Sequence, residues 1–472
     1  MNWTGAFMNK FILVNLLVTL AIVVVAGCGG SSGGGSAPGT ADVPPIVFFP
    51  LNDGTNGYEL GVTDGTDVGT FVIKDINPGA SSSDPSVLYD NLRVIIDSIL
   101  YFTADDGTNG RELWRTDGTE AGTYMVKDIN AAGSSNPLHF CLVGSVFFFQ
   151  ADDGTNGREL WKSDGTETGT VLVKDIEAGA TGSAPQQLKA LGNIVLFKAT
   201  TTASDTELWK SDGTDGGTVM VKEINAGANG VSGDLELVGS TLFFQGNDGT
   251  NGSELWGSDG TSAGTQMLKD INAAGSANPT NFCAVGTLLF FIADDGTNGF
   301  ELWVSDGTSA GTQMVKDIQA GAGSSSTQLL VAHDGKCFFS ANDGTNGDEL
   351  WVSDGTEAGT YMVKDINAGA PGGRPWTMTS ANGFLFFAAT TSDGWEPYRS
   401  DGTEAGTFQL QDINPTTNSN PYIFKPLAGK GVVFGATNGT TEFEPYFSDG
   451  TSANTYIIKD CNPTGDGFPG PA

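Results

Sequence analysis

The sequence predicts an all-β protein, a β-propeller of eight or nine blades built from nine repeats of about 48 residues with about four strands each. Three observations carry this. A phrase that reads ELWKSDGTETGTVLVKDI at residues 159–176 recurs along the chain, and the Asp of its DGT falls at Asp64, Asp117, Asp164, Asp212, Asp259, Asp306, Asp354, Asp401 and Asp449. The stretches between these marks alternate Phe-, Val-, Leu- and Trp-rich runs with Gly-, Asp- and Asn-rich ones, which reads as strand and turn. No segment carries a helical period with caps.

The third repeat gives the elements in order. LHFCLV (138–143) is a first strand that ends at Gly144, and VFFFQA (146–151) is a second that runs into DDGTNG. RELWKS (158–163) is a third strand that runs into DGTETG, and TVLVKDI (170–176) is a fourth, followed by a Gly-rich link. VFFF, and LLFFI in a later repeat, do not alternate with polar residues, so both faces of these strands are expected to be buried. Sheets packed face to face around an axis meet that demand. Leu160 and Trp161 point to opposite faces and are placed to pack on the two neighbouring blades. If Thr116 faces Thr123 across the hairpin, Glu112 falls opposite Lys127, and in the next repeat Glu159 falls opposite Lys174. Such cross-strand ion pairs would contribute about 0.2–1 kcal/mol each.

The recurrent Glu-Leu-Trp and DGT resemble the bacterial ELWxxDGT repeat family over residues 46 to 462. The full phrase carries Trp114, Trp161, Trp209, Trp256, Trp303 and Trp351; repeat one has Gly61 instead, and repeats eight and nine read Glu396-Pro397-Tyr398 and Glu444-Pro445-Tyr446. The resemblance implies an exported, propeller-like protein and no established reaction. The DGTxxG loop also resembles the Asp-box hairpin of sialidase-like propellers, itself structural.

Four segments are expected: a lipoprotein signal peptide at 1–27, a Gly/Ser/Pro-rich tether at 28–45, the repeat domain at 46–464 and a flexible tail at 465–472. The apolar run Phe11–Val25 ends in Ala26-Gly27-Cys28, resembling the bacterial signal in which the Cys is acylated. Cys28 would then join the protein to the membrane, with the outer membrane or cell surface favoured. The charge balance of 22 basic against 55 acidic residues, net −33, excludes nucleic acid as a partner. The remaining cysteines, Cys141, Cys283, Cys337 and Cys461, read as small buried apolar residues.

Two site expectations follow. In the DGTNG turns the acidic pairs Asp105–Asp106, Asp152–Asp153 and Asp294–Asp295 suit a turn cap, and their oxygens also suit Ca²⁺; no other cofactor is indicated. Departures from the repeat gather in repeats eight, nine and one: Gly61, the two Glu-Pro-Tyr phrases, Gln411 in the Lys position, and the extra Arg374, Trp376 and Trp395. Ring closure would make these repeats neighbours, and Arg374, Trp376, Trp395, Tyr398 and Tyr446 form a candidate ligand sector. No nucleophile, metal or dinucleotide motif appears, and His139 and His333 read as solvated or capping residues. The expected function is a lipid-anchored, non-catalytic envelope scaffold that binds protein or glycan. The alternatives are a polysaccharide-active enzyme with paired carboxylates and a purely structural envelope protein.

Overall fold

A computed structural model describes residues 46–201, 205–369, 371–392, 394–440 and 442–470. The signal segment, the tether and Cys28 lie outside them. The chain is a nine-bladed β-propeller of antiparallel sheets, each formed by strands consecutive in sequence. Eight sheets have four strands; among the described residues the first has three, Val47–Asn52, Tyr58–Thr63 and Phe71–Lys74. The third blade pairs Leu138–Val143, Val146–Asp152, Arg158–Ser163 and Val171–Lys174 in that order. First strands of successive repeats lie side by side, so they form the inner wall of the ring.

The unalternating second strands are buried because a blade covers each face. Leu160 packs forward with Phe148 and Val173 against Phe197 and Trp209 of the fourth blade. Trp161 packs backward against Leu113, Val126 and Ile129 of the second. Each Trp is thus a wedge between blades, and its loss costs about 3–5 kcal/mol by the general cost of emptying such a site.

The DGT loop is a closed set of hydrogen bonds. Asp164 Oδ1 accepts from Thr166 N (2.9 Å) and Thr166 Oγ1 (2.7 Å), while Thr166 Oγ1 accepts from Gly169 N (3.0 Å). Ser163 Oγ accepts from Gly165 N (2.9 Å) and meets Thr170 Oγ1 at 2.7 Å. Gly165 has φ +88°, a value an L side chain resists.

The expected Glu–Lys pairs do not form. Lys127 and Lys174 stand opposite Leu113 and Leu160, because a bulge shifts the register between Leu and Trp in each hairpin. Glu112 and Glu159 instead turn into the sheet end, fully buried. Glu159 accepts from Ile176 N, Glu177 N, Ser183 N and Ser183 Oγ at 2.6–3.1 Å. The lysines reach outward to the next blade: Lys127 Nζ donates to Thr170 O (2.8 Å) and Lys174 Nζ to Asp215 O (3.2 Å).

The ring closes between blades nine and one. Val47 packs with Leu427, Val433 and Phe447, and Lys459 Nζ donates to Thr70 O at 2.9 Å. The tail expected to be flexible from 465 takes part in this closure. Asn52 N donates to Gly467 O (3.0 Å), and Phe468, 1% exposed, stacks on Phe49 at 5.3 Å. Gly435 makes room for it, since a Cβ there would strike the Phe468 ring.

Candidate functional site

At the end of the ring where the inner strands begin, Arg374, Trp376, Trp395, Asp348 and Tyr422 line a cavity of about 410 Å³ that spans blades seven, eight and nine. Arg374 precedes the inner strand Trp376–Ala381, and its amide donates to Asp348 O (2.8 Å), which ties the approach of blade eight to blade seven. Trp376 is 49% exposed. Trp395 is half-buried; its amide donates to Asn418 Oδ1 (2.9 Å), and its ring packs on the core between blades eight and nine. Tyr422 OH lies 3.3 Å from Tyr89 OH; burial and then this contact push its phenol up to about 12. Among the described residues the Arg374 guanidinium and the Asp348 carboxylate have no side-chain hydrogen bond or ion pair.

The cavity borders strained backbone. Each four-stranded blade from the third onward opens its inner strand with a bulge, and the bulged residue has positive φ. Elsewhere it is His139, Gln187, Gly233 or Asn281, but at the cavity it is Leu329 (+56°), Thr377 (+52°) and Ile423 (+50°). A β-branched residue held there costs on the order of 1–3 kcal/mol.

Of the five residues of the expected sector, Arg374, Trp376 and Trp395 meet in this cavity. Tyr398 and Tyr446 do not. They occupy the register of the repeat Trp, 5% and 4% exposed, and stack on Phe387 and Phe434 at 5.8 Å. They are wedges between blades, not ligand contacts. Burial, and then the charges of Glu444 and Glu396, push the Tyr446 phenol up to about 12.

The DGTNG carboxylates face their own turns. Asp105 Oδ1 accepts from Gly107 N, Asp106 Oδ1 from Thr108 N and Asn109 N, and Asp106 Oδ2 from Asn109 Nδ2, all at 2.7–2.9 Å. Asp152–Asp153 and Asp294–Asp295 repeat the pattern. Burial raises the acids of Asp106, Asp153 and Asp295, but the amides outweigh it and hold them below the usual carboxylate range. Among the described residues no group of three or more His, Cys, Asp or Glu is placed to hold a metal ion.

The inner wall also holds a pair that the sequence reading passed over. His333 is neither solvated nor a cap: it is 6% exposed, and its Nδ1 lies 2.8 Å from Ser380 Oγ on the next blade. The available signal was a break in symmetry. The inner strands end in Val143, Leu191, Val238, Val285, Ala381 and Leu427 where blade seven has His333.

No protein-family model matches the chain, and no curated protein matches it. Solved structures do. One is a puromycin hydrolase, 15% identical, matched over 69% of this chain and 53% of its own at TM-score 0.37. A second comes from a study of two prolyl endopeptidases, 12% identical, matched over 67% and 48% at TM-score 0.42. A third is a puromycin-hydrolyzing peptidase of Mycobacterium tuberculosis, 10% identical, matched over 80% and 60% at TM-score 0.41. The chain spans about half the length of the first of these structures. At these identities the likeness is one of fold alone. These structures are a puromycin hydrolase and peptidases, which is at variance with the expectation of a non-catalytic scaffold and of no enzyme, and that expectation is not carried further.

Proposed function

We propose that the cavity across blades seven to nine is the substrate site of a protein that acts on peptides. One observation carries the reading: an Arg374 guanidinium and an Asp348 carboxylate, neither with a side-chain partner, line the same aromatic cavity. A ligand that satisfies both carries an anion and a cation, as a short peptide with free termini does. An acidic glycan would answer Arg374 and leave Asp348 unmatched. Trp376 and Trp395 supply flat apolar surface for a ring or proline of the ligand. A cavity of about 410 Å³ is within the ordinary range for small-ligand sites.

Tryptophan fluorescence during titration with short aromatic peptides tests the reading. Free peptides should bind, and N-acetylated or C-amidated forms should bind at least tenfold more weakly. Trp376→Ala should weaken binding while leaving the melting temperature within a few degrees, because the ring is half exposed. Equal binding of blocked and free peptides would reject the two-charge site.

The same proposal places the protein at the bacterial envelope, held by a lipid on Cys28. Labelled fatty acid should enter the wild-type protein and not Cys28→Ser; equal labelling of both would remove the anchor from the reading.

A further inference from the structure

We propose that Ser380 and His333 form a nucleophile–base pair on the channel wall that performs acyl transfer on ester or amide bonds.

The geometry is that of an activated hydroxyl. Ser380 stands exposed on the inner strand of blade eight, with Oγ 2.8 Å from His333 Nδ1. His333 is held by the last position of the inner strand of blade seven, Gln328–His333, and by edge contact with the Phe338 ring at 5.5 Å. Burial pushes the imidazole below its usual range, partly offset by the adjacent Asp334, so it is neutral at pH 7 and free to accept a proton. With the ring proton on Nε2, the serine hydroxyl donates to Nδ1. The other charged groups on this hairpin are Asp334 and Lys336, and Lys336 pairs directly with His333 across it.

A purely structural account has to explain why both positions are polar here. Ser380 stands where other inner strands carry Leu142, Ala190, Leu237, Ala284, Ala332 and Pro426, and His333 where they carry aliphatic residues. The inner strands of blades four and five are also tied by polar contacts, Lys189 Nζ to Glu236 Oε2 at 2.7 Å and Gln187 Nε2 to Asp234 Oδ1 at 3.0 Å, but neither pair joins a hydroxyl to a base. The two substitutions fall in adjacent blades, at the one place where they touch. A ring of near-identical units gains a reactive centre only by breaking its symmetry, and this is such a break.

The step balances without a further reagent. Ser380 Oγ bonds to the acyl carbon as its proton passes to His333 Nδ1, and the carbonyl π pair moves onto oxygen. When the carbonyl re-forms, the bond from the acyl carbon to nitrogen or oxygen breaks, and the leaving amine or alcohol takes the proton from His333. Water then attacks the acyl-serine with the same base, releasing the acid and restoring Ser380. Trp376 lies four residues up the same strand, closer than the ~13 Å of a fully extended chain because the Thr377 bulge shortens the path. A peptide held in the cavity would therefore reach Ser380 with roughly four extended residues. This link alone rests on the peptide reading of the cavity; the reactivity of the pair does not.

A fluorophosphonate probe on the full chain tests the pair. Attack by Ser380 Oγ displaces fluoride, and peptide mass mapping should find the adduct on Ser380. Labelling should vanish in Ser380→Ala and fall at least tenfold in His333→Gln, whose amide keeps a hydrogen bond to the hydroxyl but is no base. Its rate should rise with pH through a midpoint below that of an ordinary histidine. An unmodified Ser380 in folded wild-type protein, or equal labelling of His333→Gln, overturns the proposal. Labelling of wild-type Ser380 together with equal binding of blocked and free peptides would retain the pair and discard the peptide cavity.

Discussion

Nine glutamates, from Glu59 to Glu444, recur at one place in every blade, each no more than 1% exposed. Each accepts the amide of the residue seventeen positions on, as Glu207 does from Ile224 and Glu349 from Ile366. Burial pushes these acids up, to about 7 for Glu59, Glu207, Glu349 and Glu444, against the downward pull of the amides. An acid raised in the folded state binds more protons there than in the unfolded chain between the two values. Its stabilisation is present below pH 4.5 and is lost as pH rises towards 7. Loop aspartates such as Asp164 and Asp306 are lowered, first by the Thr hydroxyls they accept from, so their contribution is lost as pH falls below 3.8. The urea midpoint should therefore peak at about pH 4–5 and decline towards 7. A midpoint that climbs steadily from pH 5 to 8 would mean that the amides hold the glutamates ionised. Glu159→Gln should lose about 1–3 kcal/mol, because an amide nitrogen cannot accept from those N–H groups, and should flatten the decline. The recurrence of Glu was legible in the sequence, but its partner was not. A one-residue bulge decides whether Glu159 meets Lys174 or backbone amides, and the strand pattern carries no mark of that bulge.

Turns and strand ends show where local chemistry suffices and where it does not. Asp, Gly and Thr at DGT specify the loop almost alone, since every bond in the clasp is local. Asp164→Ala should cost on the order of 1 kcal/mol. The fourth strands of blades eight and nine shrink to Phe408–Gln409 and Thr455–Ile457, against four residues in the other blades. The sequence explains this through Pro397 and Pro445, which stand in the Leu position and have no N–H for the ladder. The bulge that opens the inner strands is different: His139, Gln187, Leu329 and Thr377 share a left-handed φ but no residue type, so the geometry is imposed by the neighbouring blades. At Thr377 that imposition is costly. Thr377→Gly should hold or raise the melting temperature, whereas the same change at Thr379 should lower it. A loss of several degrees at Thr377 would show that its side chain contributes more than its backbone conformation costs.

The ring as a whole is fastened by lysines. Lys74, Lys127, Lys174, Lys222, Lys269, Lys316 and Lys364 each donate to a backbone carbonyl of the next blade, and Lys459 does so across the closure, onto Thr70 O. Eight joints of nine are thus pinned among the described residues. The ninth, between blades eight and nine, has Gln411 in the Lys position, an exposed residue too short to repeat the contact. The cavity of Trp376, Trp395 and Tyr422 crosses that joint, where Thr379 Oγ1 donates to Phe424 O (3.1 Å), so the seam without the repeat lysine is also one a bound ligand would bridge. Nine repeats and the departures among them were legible in the sequence. The meeting of repeats eight, nine and one was legible only on the condition that the ring closes, and that closure rests on Val47, Phe49 and Phe468 joining the two ends of the chain. Gln411→Lys should add about 1 kcal/mol, the net worth of one such bond. It should also slow amide exchange along Tyr422–Leu427 and Thr455–Ile457 more than in any other blade. Lys364→Gln should do the reverse at the joint between blades seven and eight, opening a second seam beside the first. If exchange in blade nine is unchanged by Gln411→Lys, or is already as slow as in blades three to six, the ring does not open there, and the missing lysine is a neutral departure from the repeat.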